Sequence, residues 1–184
     1  MKRIVVGITG GSCTLYAVAL LTALKELGVE THVAVSRMGA YVLEHECDFN
    51  MDEVRALSSV VYENDNLAAA IASGSFKTDG MVIIPCSMNT LGAVANGLSQ
   101  NLVQRAADVT LKEKRPLVVV PRETPLTIVH LENMLKVSRA GAIMMPASPG
   151  FYHLPETIDD IVLIMVGRIL DQLGLDGGLF KRWK

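Results

Sequence analysis

The sequence predicts an α/β fold: a single domain over residues 1–184, built as a three-layer sandwich around a central parallel sheet. Three observations carry this. Short β-branched runs alternate with segments of helical period along the whole chain. Two of the runs, Met81-Val82-Ile83-Ile84 and Leu117-Val118-Val119-Val120, are apolar at every position, as strands covered on both faces are. No Ser/Gly-rich linker, charge block or internal repeat divides the chain.

The elements follow in order. Ile4-Val5-Val6-Gly7-Ile8 is a strand ending in Thr9-Gly10-Gly11-Ser12. Leu15, Val18, Ala19, Leu21 and Leu24 then share one side of a helix that stops at Gly28. Thr31 to Val35 is the second strand, and Ser36 is placed to cap a helix carrying Tyr41, Val42 and Leu43. Residues 52–58 and 66–72 read as short helices. After the apolar strand 81–84 comes the string Pro85-Cys86-Ser87-Met88-Asn89-Thr90, then one long helical region to about Lys114. Strand 117–120 ends in Pro121-Arg122-Glu123. A helix carries Leu131, Met134, Leu135 and Val137, and 142–145 is the last strand. A Pro/Gly-rich loop then runs to Pro155. The final helix, 156–173, buries Ile158, Ile161, Val162, Met165, Ile169 and Leu170. The basic and aromatic tail breaks this pattern, and residues 175–184 are expected to reach the site or a neighbouring subunit.

Composition narrows the function. Seventeen Lys and Arg stand against 19 Asp and Glu, a net charge of −2, so no basic field exists to hold a nucleic-acid backbone. The mean hydropathy is +0.34. Yet no run reaches the ~18 uncharged apolar residues of a membrane span. Burial between subunits is the simplest use for the surplus, so a homo-oligomer is expected. The N-terminus enters a strand directly, without the apolar region of a signal peptide. The three cysteines, Cys13, Cys47 and Cys86, are scattered and odd in number. They read as reduced thiols in a cytoplasmic protein, not as a disulfide framework or a metal cluster.

In an open parallel sheet a ligand lies beyond the carboxyl ends of the strands. Four such ends carry unusual residues: Thr9 to Cys13, Ser36, Cys86 to Thr90, and Arg122-Glu123. Gly10-Gly11-Ser12 opens a helix, where glycines let a ligand approach and free N–H groups face an anion. The GxGxxG spacing is absent, so a dinucleotide fingerprint is not supported. Ser87 and Thr90 offer hydroxyls to a phosphate or a ring carbonyl, or Ser87 only caps the next helix. Arg105 and Lys112 lie two helical turns apart on one face, with Asp108 between them. That face is a phosphate clamp or a solvated charged surface. Arg122 can hold a phosphate or flavin bidentately, and Glu123 beside it can move a proton. Arg168 stands alone in an apolar helix and is aimed at an anion or snorkels to solvent. Tyr152 lies in the Pro/Gly loop. His45, His130 and His153 come with no Ser/His/Asp or Cys/His spacing.

These residues carry a likeness. The strings PCSMNTLG (85–92), RAADVTLKEKRPLVVVPRETP (105–125), HLENML (130–135) and PGFYHLPETIDDIV (149–162) resemble the UbiX family of flavin prenyltransferases, within the wider flavin-containing cysteine decarboxylase-like group. The resemblance covers nearly the whole chain. It implies a flavodoxin-like, Rossmann-type fold assembled into a dodecamer, with FMN between subunits. It implies that Gly11, Ser12, Cys13, Ser36, Ser87, Met88, Asn89, Thr90 and Arg122 bind FMN. It implies that Glu46, Arg105, Lys112, Tyr152 and Arg168 hold dimethylallyl phosphate, that Ser12 and Glu123 handle protons, and that Trp183 helps close the site. The implied reaction joins the prenyl group to N5 and C6 of reduced FMN without a metal, for use by a UbiD-type decarboxylase.

Two departures stand out. Cys13 takes the place of the last glycine of the family's Gly-Ala-Ser-Gly string, which strains the loop if that position needs a positive φ. Cys47 stands where a threonine is common. Two other readings stay open: a flavin-dependent decarboxylase of a cysteine-containing substrate, and a flavin-binding module without catalysis. Against the first, the Pro-x-Met-Asn-x-x-Met-Trp clamp of those decarboxylases is missing from Pro146 to His153.

Overall fold

The structure is a computed structural model that describes residues 1–182. Its strands are β1 (Arg3–Ile8), β2 (Glu30–Val35), β3 (Val60–Tyr62), β4 (Gly80–Cys86), β5 (Leu117–Pro121) and β6 (Ile143–Met144). Its helices are α1 (Leu15–Glu26), α2 (Arg37–Cys47), α3 (Met51–Leu57), α4 (Met88–Ala95), α5 (Leu102–Lys112), α6 (Ile128–Arg139) and α7 (Ile158–Gln172). The sheet runs β3-β2-β1-β4-β5-β6 and every neighbouring pair is parallel. This is the doubly wound, flavodoxin-like arrangement, and the strand order reverses between β1 and β4.

Alternation along the strands explains why both faces are apolar. On one face Ile4, Val6, Ile8, Val82, Ile84 and Val118 meet the buried side chains of α1 and α7, among them Leu20, Leu24, Ile169 and Leu170. On the other, Val5, Met81, Ile83 and Val119 meet Leu102, Val103 and Ala107 of α5 and Val137 of α6. Each fully buried Leu or Ile contributes roughly 1.5–3 kcal/mol. The register Val6↔Val33 and Val6↔Val82 aligns the ends of β1, β2 and β4, so their loops emerge on one rim.

The structure departs from the sequence reading in five places. A sixth strand, β3, pairs with β2 at the sheet edge; it has three residues, none of them buried. Residues 66–72 hold only a 3₁₀ turn at Ala70–Ala72. The long helical region is two helices. Gly97 at φ +68° turns the chain after α4, and Asn101 caps α5 by accepting from the Gln104 amide. The last strand is cut to Ile143–Met144, and the final helix starts at Ile158, which is exposed and not buried as expected, behind a capping box of Thr157 and Asp160.

The start of the chain meets the end of α7. Lys2 Nζ donates to the carbonyls of Leu173 and Gly174, both at 2.8 Å, and so closes the carboxyl end of α7. The tail then runs back along α7. A Cβ at Gly167 would run into the Phe180 ring, and Arg182 pairs with Asp171 at 2.8 and 2.9 Å.

Candidate functional site

The loop after β1 is built by close approach. A Cβ at Gly10 would lie 2.6 Å from the Met38 Cβ at the start of α2, so only glycine fits there. A Cβ at Gly11 would lie 3.2 Å from Pro85 and 3.8 Å from the Arg122 carbonyl. The ends of β1, β4 and β5 therefore touch at Gly11. Cys13 has φ 74°. The strain expected of a side chain in place of glycine is present, at roughly 1–2 kcal/mol.

Glu46, near the end of α2, reaches across to this loop. Its carboxylate accepts from Ser12 Oγ at 2.5 Å, from the Cys13 and Thr14 amides at 2.9 and 3.0 Å, and from Thr14 Oγ1 at 3.0 Å. Burial alone would raise its pKa. The four donors outweigh that, the Ser12 hydroxyl first among them, and hold it below the usual carboxylate range. The amino end of α1 thus already carries a negative charge from its own chain. Sequence reading missed Thr14, whose hydroxyl completes this clasp. The partners lie more than 30 positions apart and share no period.

The remaining strand ends supply two helix starts. Ser36 caps α2, accepting from the Gly39 amide at 3.0 Å. Ser87 caps α4, with its hydroxyl 3.4 Å from the Thr90 amide and 3.2 Å from Thr90 Oγ1. Both hydroxyls do serve as caps, and each keeps spare hydrogen-bonding capacity. Met88 and Asn89 form the first turn of α4. The Arg122 amide reaches the Cys86 carbonyl at 3.4 Å, which holds the end of β5 against that of β4. Glu123 is exposed beside it, and its Oε1 accepts from the Thr124 amide at 3.0 Å.

Beyond β6 lies a cleft of about 240 Å³. Met145, Ile164 and Met165 form apolar walls, and Tyr152 and Arg168 supply polar groups. Arg168 is exposed on α7 while Val166, Gly167, Ile169 and Leu170 around it are buried. The nearby Asp171 is committed to Arg182, whose bond holds its carboxyl low, with Arg168 adding a smaller pull. A cation facing an apolar cleft, next to a phenol, suits an anion joined to an apolar group.

Arg105 and Lys112 do not join this cleft within the chain. Arg105 donates to the Ala72 carbonyl at 3.1 Å and pairs with Asp108 at 2.7 Å. Lys112 pairs with Glu113 at 2.5 Å, at the end of α5 that leads into the start of β5. Trp183 lies outside the described residues. Cys86 is buried and its thiol is pushed up to about 12, so it is not a nucleophile. His45 stacks on Tyr41 at 5.9 Å, and His130 completes the cap of α6. His153 is half-buried, with its two ring nitrogens covered and not hydrogen-bonded among the described residues. Among the described residues no cluster of His, Cys, Asp and Glu could hold a metal ion, and no helix is long and apolar enough to cross a membrane.

Comparison with known proteins now decides between flavin chemistries. Residues 1–170 match the flavoprotein family. The flavin prenyltransferase UbiX of Methanocaldococcus jannaschii is 47% identical over 181 residues, covering 98% of each chain. The chain belongs to the UbiX-like flavin prenyltransferase family. Two solved structures of UbiX-like proteins agree with it. AnUbiX (PadA1), crystallised with FMN and dimethylallyl pyrophosphate, superposes with a TM-score of 0.98 at 45% identity, covering 100% of this chain and 97% of that one. A dodecameric FMN-dependent Ubix-like decarboxylase from Escherichia coli O157:H7 superposes with a TM-score of 0.97 at 48% identity, covering 100% of both. Within this UbiX-like frame, the glycine loop, the starts of α2 and α4 and Arg122 lie at the carboxyl side of the sheet, and the Tyr152–Arg168 cleft opens beyond β6.

Proposed function

We propose that this chain is a flavin prenyltransferase. It joins a dimethylallyl group from dimethylallyl phosphate to N5 and C6 of reduced FMN, and the product serves a UbiD-type decarboxylase. The carrying observation is the full-length superposition, at 45% identity, on a relative crystallised with FMN and dimethylallyl pyrophosphate. The residues present fit a flavin. Gly10 and Gly11 let the loop after β1 pack against Met38 and Pro85, and the starts of α2 and α4 point N–H groups toward the same rim. FMN would be held by Gly11, Ser12, Cys13, Ser36, the turn Ser87 to Thr90, and Arg122. Reduced FMN supplies the nucleophilic atoms to which the prenyl group is joined as phosphate leaves.

The protein's own groups do the rest. Arg168 and Tyr152 hold the donor phosphate and stabilise the charge it takes on leaving, which needs no metal. Met145, Ile164 and Met165 keep water from the allylic carbon. Glu123, exposed at the end of β5, takes up a proton at the flavin edge. Glu46 was expected to help hold the donor phosphate. An ionised carboxylate repels phosphate, and its four bonds point to a different role. Glu46 holds the Ser12 hydroxyl in place for proton transfer.

The chain works as a cytoplasmic homo-oligomer, of dodecamer size like its E. coli O157:H7 relative. Ile128 (74% exposed), Leu154 (83%) and Ile158 (69%) give it apolar surface to bury. In that assembly Arg105 and Lys112 of a neighbouring copy complete the phosphate clamp. The test is a handover. Flavin from an anaerobic reaction, added to an apo UbiD-type decarboxylase, restores decarboxylation. Flavin that passes through unable to restore it contradicts the proposal.

A further inference from the structure

We infer that Thr9 is a positioning residue of the flavin site, acting through the backbone amide of Ser87. This inference rests on the flavin reading above. Regular pairing between β1 and β4 ends at Gly7↔Ile83, and the β4–β5 register is irregular between Ile83 and Cys86. Pro85 carries no amide hydrogen and cannot continue a ladder. The Thr9 side chain bridges this gap. It is 1% exposed, its Oγ1 donates to the Pro85 carbonyl at 2.8 Å, and the same oxygen accepts from the Ser87 amide at 2.8 Å. The Thr9 amide also reaches the Pro85 carbonyl, at 3.2 Å.

One buried hydroxyl thereby fixes the spacing between two walls of the site. On one side is the glycine loop, which begins at the next residue. On the other is Ser87, the cap of α4. That cap's own bond to the Thr90 amide is long, at 3.4 Å, so it holds Ser87 weakly. Without the Thr9 hydroxyl, the half-buried Ser87 amide would lose this partner and the buried Pro85 carbonyl would keep only the Thr9 amide. The loop and the start of α4 would then separate to reach water. The Arg168–Tyr152 cleft, beyond β6, has no bond to Thr9 and would keep its shape.

The experiment uses the full chain and oxidised FMN as probe, with binding read by quenching of flavin fluorescence. Thr9→Val keeps the shape and removes the hydroxyl; Thr9→Ser keeps the hydroxyl. The expected result is an FMN Kd raised on the order of tenfold in Thr9→Val and held within about twofold of wild type in Thr9→Ser. At saturating FMN, the KM for dimethylallyl phosphate should be unchanged in both. An FMN Kd in Thr9→Val equal to wild type, with only the melting temperature lowered, would overturn the inference and leave the flavin reading standing. So would a Thr9→Ser protein as weak as Thr9→Val. Wild-type protein that binds no FMN would overturn both. If Thr9→Val does not fold, Thr9→Ser against Thr9→Ala reads the same difference.

Discussion

Cys13 holds a backbone conformation that suits glycine, at φ 74°, in the loop after β1. Its β-carbon raises the energy of that conformation in the folded state. Cys13→Gly should therefore stabilise the protein by about 1 kcal/mol net, since glycine also gains freedom in the unfolded chain. That is a rise in Tm of roughly 2–4 °C, measured by calorimetry. A Tm that falls would show that the Cys13 side chain makes up for its strain by packing. Arg168 is the other residue whose role is separable. It faces the cleft beyond β6 and makes no contact with the glycine loop. Arg168→Ala should raise the KM for dimethylallyl phosphate by on the order of tenfold to a hundredfold, as lost charge-assisted bonds do, with FMN affinity unchanged. Loss of FMN binding instead would mean that the donor phosphate lies elsewhere.

At the scale of elements, a polar network ties the first three strands together on one face. Arg3 donates to both oxygens of Glu30 at 2.8 and 3.0 Å. The buried His32 bridges Glu30 and Tyr62, at 2.8 Å each. The Arg3 guanidinium, helped by His32, lowers the Glu30 pKa to about 2. A depressed carboxylate contributes stability that is complete above its unfolded value, about 4.3, and is lost as pH falls toward 2. Glu30→Gln should lower Tm at neutral pH and flatten its decline between pH 5 and pH 2 (about the span of the two values). An unchanged acid slope would place the titrating group elsewhere. The same scale shows what the sequence could disclose. β1, β4 and β5 were legible because burial on both faces leaves them apolar, apart from Arg3 at the open start of β1. β3 was not, because three half-exposed edge residues carry no pattern. The break between α4 and α5 rests on Gly97 and Asn101, single residues inside an otherwise helical stretch. The strand-end loops could be foreseen because a parallel sheet puts every βα turn on one rim. The Ser12–Glu46 clasp was invisible to periodicity, since only the folded chain brings positions 34 apart together.

For the whole molecule, the exposed apolar residues and the distant Arg105 and Lys112 ask for other copies of the chain. Ile128 is 74% exposed at the first position of α6. An acidic residue suits a helix start, so Ile128→Asp should leave the protomer folded while placing charge in an apolar contact. The mass by light scattering should drop below that of the wild type; an unchanged mass would show that α6 faces solvent in the assembly. The prenyl transfer itself is read in one measurement. Purified protein, reduced FMN and dimethylallyl phosphate are mixed without oxygen, and the released flavin is weighed by mass spectrometry. FMN heavier by one five-carbon prenyl unit is expected, formed only when protein, flavin and donor are all present. FMN recovered unmodified from protein that binds both partners would contradict it.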